Sequence, residues 1–170
     1  MIIEHIVGNL RDMDAGGRRL DPVRIQWFEA GKRIQRRKSD GGLDLAIRFF
    51  KEGQRLQQDD ILFMDEERLV VVEIEPCEAI QVTPGSLYEM GSACYEIGNK
   101  HLPLFIQDDV ILLPFEAPIF RWLSAKGFRT EKVEAKLLNL LNTTVQPHGH
   151  ALEGEEGGSL FSKIMALAGK

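Results

Sequence analysis

The sequence predicts an α+β protein with a β-rich N-terminal domain, a ferredoxin-like C-terminal domain and a flexible tail. Short alternating apolar segments separated by turn residues fill residues 1–75, without a convincing helical pattern. Helical and strand patterns then alternate over residues 76–141. Residues 142–170 begin with a stretch rich in glycine and glutamate. These changes place the predicted domain boundaries at residues 75 and 141.

The first domain, residues 1–75, is predicted to be a small β-sandwich or barrel. Its apolar residues alternate with other side chains in short segments that turn residues separate, and this is typical of half-buried strands. Such short strands with frequent turns are typical of both architectures. The predicted strands lie around Val23–Trp27, Leu43–Arg48, Ile61–Met64 and Leu69–Ile74, with turns at Ser39–Gly42 and Asp65–Arg68.

The second domain, residues 76–141, has the element order βαββαβ, which is the ferredoxin-like arrangement. Its first helix should begin near Ser86, because Glu89 stands three positions later in the capping-box spacing. Its second helix should begin near Pro118 and end at Gly127. The predicted strands are Glu78–Val82, Leu102–Ile106, Val110–Leu113 and Thr130–Leu137.

The first predicted helix carries an apolar stripe that leads to a histidine. Leu87, Met90, Cys94 and Ile97 are spaced three and four apart, and another step of four reaches His101. The sequence therefore predicts His101 at the edge of a buried face, although Gly98 and Asn99 favour the end of the helix there. An imidazole in such a place can be a buried structural residue, a catalytic base or a metal ligand.

The tail is predicted to be flexible. Residues 142–158 contain few apolar groups that could compensate the entropy lost on ordering. His148 and His150 lie in this stretch, separated by one glycine.

Composition argues against nucleic acid and membrane partners. The net charge of −5 is spread over both halves, with 13 basic and 15 acidic residues in 1–75 and 8 and 11 in 76–170. The one basic cluster, Lys32–Lys38, is typical of the exposed face of a hairpin, or alternatively of a docking surface for an acidic protein or nucleic acid. No apolar run reaches bilayer length and no signal peptide is evident, while Cys77 and Cys94 form no CxxC pair. A cytoplasmic location is therefore expected.

Catalytic patterns are poorly represented. The chain lacks G-x-S-x-G, P-loop and G-x-G-x-x-G motifs. Cys94 and His101 could form a nucleophile and base, but a thiol on a buried face is usually inert. The carboxylate pairs Asp59–Asp60 and Asp108–Asp109 are predicted to be solvated turn residues.

Metal binding suits the histidines better, although not as a closed site within one chain. A structural zinc site needs four nitrogen or sulfur ligands. In a two-fold dimer each residue near the axis occurs twice, so two copies of His101 could supply two nitrogens and tail histidines could complete the shell. Ni(II), Zn(II) and Cu(II) all accept imidazole.

The segment from Cys94 to Leu104 resembles the central motif of the UreE family of urease accessory proteins. In that family an aliphatic residue, Gly-Asn, a basic residue and His precede an apolar strand, as in Ile97–His101 here. Nearly the whole chain is similar in order, and the family's two-domain plan agrees with the one predicted above. Further similar segments are Met1–Asn9, Asp44–Arg48, Asp59–Leu62 and Pro114–Pro118.

The resemblance implies a homodimeric nickel metallochaperone, not an enzyme. Ni(II) would be its cargo, passed with the family's partner GTPase to the urease apoprotein complex, with Zn(II) or Cu(II) as competitors. His101 matches the family's interface histidine, which ligates metal from both protomers. His148 and His150 fall where family members carry C-terminal metal-binding histidines. A tail with only two histidines argues against large-capacity nickel storage.

Two other interpretations remain open from the sequence. The chain could be a scaffold or peptide-binding adaptor in which the histidines are incidental. It could also be a small hydrolase or redox enzyme that uses Cys94 with His101.

Overall fold

A computed structural model describes residues 1–49 and 53–141, and these divide into two compact units that meet in sequence at Glu75 and Pro76. Strands dominate both units, and the two α-helices of the described residues lie in the second, as the α+β prediction requires. Neither helix is long and apolar enough to cross a membrane.

The described residues of the first unit form seven strands in two separate sheets, which agrees with the sandwich alternative and not with a single closed barrel. The three-stranded sheet has the order β1-β5-β4, and the four-stranded sheet has the order β2-β6-β7-β3. Both sheets contribute fully buried aliphatic residues, among them Ile47 and Val72. The strands are β1 (Ile2–Ile3), β2 (Gly8–Asn9), β3 (Arg19–Ile25), β4 (Ile34–Lys38), β5 (Asp44–Arg48), β6 (Asp60–Met64) and β7 (Arg68–Ile74).

The turn predicted at residues 39–42 is held by a buried carboxylate. Asp21 is 2% exposed and accepts hydrogen bonds from Ser39 Oγ at 2.7 Å and from the Gly41 amide at 2.6 Å. A Cβ atom on Gly41 would lie 2.7 Å from an oxygen of this carboxylate. Only glycine therefore allows this approach without rearrangement.

The second unit has the predicted βαββαβ order. Its sheet order β11-β8-β10-β9 places the first strand of the unit beside the third and the fourth. Both helices contribute to a core with the sheet, through Ile97 of one and Leu123 of the other. The elements are β8 (Cys77–Val82), α1 (Leu87–Asn99), β9 (Phe105–Gln107), β10 (Val110–Pro114), α2 (Ala117–Ala125) and β11 (Thr130–Ala135).

The start of α1 confirms the predicted cap with one difference. The Ser86 hydroxyl accepts a hydrogen bond from the Glu89 amide at 3.1 Å, as in a capping box. The Glu89 carboxylate accepts from the Gly85 amide at 2.7 Å instead of from Ser86. The first bond satisfies an amide that the first helical turn leaves free, and the second holds the residue that precedes the cap.

The prediction of solvated turn carboxylates is confirmed for the pair Asp108–Asp109 between β9 and β10. It is not confirmed for the pair Asp59–Asp60 at the start of β6. Asp108 and Asp109 are exposed, with φ of 47° and 63°, as a tight hairpin turn requires. Asp60, by contrast, is only 6% exposed, so its prediction as a solvated residue was wrong. It accepts hydrogen bonds from the Gln57 amide and from Asn9 Nδ2, and burial raises its pKa.

Candidate metal centre

His101 lies just beyond the C-terminal end of α1, where the backbone turns left-handed. Lys100 caps the helix and His101 has φ of 53°. The His101 amide donates to the Gly98 carbonyl at 2.9 Å, and the Leu102 amide donates to the Ile97 carbonyl at 3.5 Å. These two bonds form the Schellman arrangement, in which the left-handed position is usually a glycine.

This geometry corrects the predicted placement of His101. Because the helix ends at Asn99, the spacing of four from Ile97 no longer places position 101 on the helical face. The imidazole is exposed to solvent instead of lying at the edge of the core.

The chain stops α1 at this point because apolar residues on either side anchor the turn. Ile97 is fully buried, and Leu102 packs against the same core cluster. A hydrophobic contact between these two positions commonly accompanies the Schellman motif. The turn is therefore fixed by packing while the side chain between the two anchors projects outward.

The opposite faces of α1 differ in exposure. Met90, Cys94 and Ile97 contact the core, as predicted. Leu87, which the sequence placed on this face, is 88% exposed, so that prediction was wrong. Tyr88 and Tyr95 are 86% and 70% exposed on the outer face of the same helix.

Two polar contacts fasten the end of α1 to α2. The Lys100 ammonium lies 4.7 Å from the centre of the Trp122 ring, and Lys126 Nζ lies 3.2 Å from Glu96 Oε1. The cation–π contact draws the Lys100 charge onto the aromatic ring. Sequence reasoning missed this pairing, because Lys100 at the end of α1 and Trp122 in α2 belong to different parts of the chain and no local pattern links them.

Cys94 does not have the environment of a reactive nucleophile. Its thiol is half-buried against the core, and burial raises its pKa. Burial likewise raises the pKa of the Cys77 thiol, with a further contribution from the negative charge of Glu134. Both thiols are therefore poor sources of thiolate.

The segment after β11 returns to the neighbourhood of the central motif. The Ile106 amide donates to the Asn139 carbonyl at 3.2 Å, and the Leu141 amide donates to the Leu104 carbonyl at 2.8 Å. The chain thus runs antiparallel beside β9, with a bridge between Phe105 and Leu140. Leu141, the last described residue, is thus hydrogen-bonded to Leu104, which lies three residues after His101.

The predicted tail ligands His148 and His150 lie outside the described residues, as does the whole predicted flexible tail, 142–170. Within residues 1–49 and 53–141, no group of three His, Cys, Asp or Glu side chains could hold a metal ion. Among the described residues of the second unit, 76–141, His101 is the one histidine, and its side chain is exposed.

Comparisons with known proteins agree over both units. The family model described as UreE urease accessory protein, N-terminal domain, matches residues 3–75, and the corresponding C-terminal domain model matches residues 75–159. A urease accessory protein UreE of Flavobacterium johnsoniae is 57% identical over 168 residues, covering 99% of each chain. The UreE of Actinobacillus pleuropneumoniae is 43% identical over 88% of this chain and 81% of its own. The UreE of Acetivibrio thermocellus is 34% identical over 89% and 98%.

Proposed function

This chain belongs to the UreE family of urease accessory proteins, and we propose that it is a nickel metallochaperone that binds Ni(II) between two protomers. The family consists of accessory chaperones, not enzymes, and its role is in urease maturation. The observation that carries the proposal is the exposed imidazole of His101, fixed at the end of α1 beside an exposed aromatic face.

The helix end favours a cation at His101. The last carbonyl groups of an α-helix carry partial negative charge, which attracts positive charge within about one turn. Lys100 is the adjacent cation, and its ammonium is held over the Trp122 ring. The imidazole is a suitable ligand for Ni(II), although Zn(II) and Cu(II) compete for the same donor.

A homodimer would bring two His101 imidazoles, one from each protomer, to the same metal ion. The outer face of α1 carries three largely exposed apolar or aromatic side chains, Leu87, Tyr88 and Tyr95, and such a patch marks an interaction surface. Gly91 and Gly98 are exposed on the same helix, with open space where a Cβ atom would lie. Two such helices could approach closely about a two-fold axis, which brings each imidazole near its symmetry copy.

The length of the chain between Leu141 and the tail histidines would allow them to reach His101. Leu141 is hydrogen-bonded to Leu104, which lies three residues from His101, or at most about 10 Å along the chain. Seven residues from 142 to 148 span up to about 23 Å when extended. Either His148 or His150 could therefore complete the coordination shell and release the ion to a partner.

The partners in this proposal are urease maturation factors, namely the accessory GTPase and the urease apoprotein complex, and the compartment is the cytoplasm. The adaptor interpretation differs because it requires no metal. The enzyme interpretation fails on the family assignment, and the half-buried Cys94 thiol gives it no support.

Calorimetric titration with Ni(II) tests the proposal. The intact chain should bind about one tight Ni(II) per two chains, as a site on a two-fold axis requires. His101→Asn is the matched variant, because asparagine tolerates the left-handed backbone but lacks the imidazole. It should lose the tight step and remain folded. One tight Ni(II) in each of two independent monomers would exclude the shared site.

A second experiment tests the dimer surface. Tyr95→Arg places a charge in the proposed apolar contact and should give monomers together with weak nickel binding. Glu131→Arg, on an exposed position of β11, is the control for adding an arginine. Sedimentation velocity measures the oligomeric state. A Tyr95→Arg variant that is still dimeric would show that α1 does not form the interface.

A further inference from the structure

Strand β4 offers an open edge in the first unit. It is the terminal strand of the sheet β1-β5-β4, and its outer side pairs with no other strand among the described residues. An open edge presents backbone N–H and C=O groups that can pair with an added strand.

The hydrogen-bond register identifies which residues face outward. The Ser39 amide donates to Leu43 and the Phe49 amide donates to Arg33, so the odd-numbered residues of this strand pair with β5. Because bonded and non-bonded pairs alternate in an antiparallel ladder, the backbone groups of Ile34, Arg36 and Lys38 point to the open side.

The same three residues present exposed side chains. Ile34 is 73% exposed, and Arg36 and Lys38 are exposed beside it. Arg48 of β5 lies opposite Ile34 and is exposed on the same face. Ile2, 62% exposed, lies opposite Ala46 in the parallel pair with β1 and extends the apolar part of this face.

The three cations Arg36, Lys38 and Arg48 form no ion pair within the described residues. The neighbouring cations Lys32 and Arg37, in contrast, both pair with Glu29. The cluster predicted as the face of a hairpin therefore contains two cations paired with Glu29, and two, Arg36 and Lys38, that form no ion pair with another described residue.

Charge alone on an edge strand could serve only to prevent unwanted pairing. The exposed Ile34 and Ile2 indicate that this edge binds a partner, because an apolar residue beside an open edge favours association. The chain carries a net charge of −5, so this basic face is a local exception with selectivity for an acidic ligand.

We propose that β4 is a docking site for an extended acidic segment of a partner protein, which adds to the sheet as a fourth strand. Backbone pairing with Ile34, Arg36 and Lys38 would give affinity, and acidic side chains at alternate positions would face Arg36, Lys38 and Arg48. This inference is independent of nickel binding.

The test uses the full-length chain and a fluorescein-labelled peptide in which Glu and Val alternate over six residues, followed by fluorescence anisotropy. The acidic peptide should bind, whereas a Lys-Val peptide should not. A peptide N-methylated at every internal residue keeps the charges but cannot form the ladder, and it should bind weakly. Equal binding of the N-methylated peptide would overturn strand addition.

The variant Arg36→Glu, Lys38→Glu, Arg48→Glu should weaken binding of the acidic peptide about tenfold, as expected for three exposed ion pairs. Arg121→Glu, an exposed position on α2, is the control and should leave binding unchanged. No binding by the wild-type chain, or equal binding by the triple variant, would overturn the proposal.

The chain's own acidic stretch is the competing occupant. Glu153, Glu155 and Glu156 follow the described residues. Changing all three to Gln in the full-length chain should leave peptide affinity unchanged if the site serves a partner. A clear rise in affinity would show that the tail occupies the edge, and the assignment to a partner would be wrong.

Discussion

Replacing His101 with glycine should remove the proposed metal ligand and at the same time stabilise the helix end relative to replacement with alanine. The residue has φ of 53° at the left-handed position of the Schellman turn. For a residue with a Cβ atom, this conformation costs about 1–2 kcal/mol. Glycine avoids that strain, but its greater freedom in the unfolded chain costs about 0.4–1 kcal/mol.

The strain that glycine avoids exceeds the entropy that it costs, so His101→Gly should be about 1 kcal/mol more stable than His101→Ala. The stability of His101→Asn should lie between them. In a chain of this size, 1 kcal/mol corresponds to a change in Tm of about 2–4 °C. Urea unfolding followed by circular dichroism in the presence of a chelator measures the three variants without nickel. All three should lose the tight nickel step equally.

Two results would refute this reasoning. Equal stability of the glycine and alanine variants would mean that position 101 is not held left-handed in solution. Retention of tight nickel binding by the more stable glycine variant would mean that the imidazole is not the ligand.

Three further outcomes are expected. Because imidazole must be deprotonated to bind metal, nickel affinity should fall as the pH is lowered from 8 to 5, and a flat calorimetric profile would indicate carboxylate ligands. The double variant His148→Ala, His150→Ala should weaken nickel binding more than either single variant, and an unchanged titration would exclude the tail as a ligand. Burial raises the pKa of Glu29, but hydrogen bonds from Arg37 and the Gln26 amide outweigh it, and the net pKa is lowered. Glu29→Gln should therefore lower the free energy of unfolding by about 1–2 kcal/mol at pH 7. This difference from the wild type, measured by urea unfolding, should vanish as the pH falls and the Glu29 carboxylate is protonated.

The alternation of apolar residues predicted the α+β class and most of the longer strands, but it did not predict β1 or β2. The predicted strands lie within β6, β7, β8 and β10 and overlap β3 and β5, because a half-buried sheet needs an apolar side chain at every second position. The strand predicted to start at Leu102 instead begins at Phe105. The last strand was predicted to reach Leu137 but ends at Ala135. Beyond Ala135 the chain leaves the ladder with β8, and apolar spacing does not record that change.

Contacts between residues distant in sequence could not be predicted. Asp60 was expected to be solvated, because a carboxylate at a turn usually is, yet Asn9 and the Gln57 amide provide donors that allow its burial. The hydrogen bond from Leu141 to Leu104 likewise depends on how the chain returns to β9. No local pattern signals either contact.

The placement of His101 shows where the helical spacing rule fails. Counting by three and four assumes that the helix continues, whereas Gly98 and Asn99 already favoured its end. At the left-handed position that follows, glycine is the conformationally favoured residue, and this chain carries histidine instead. Backbone preference therefore does not explain the residue. In the proposed function, an imidazole projecting outward at the carbonyl end of α1 explains it, because a glycine there would leave the nickel without its ligand.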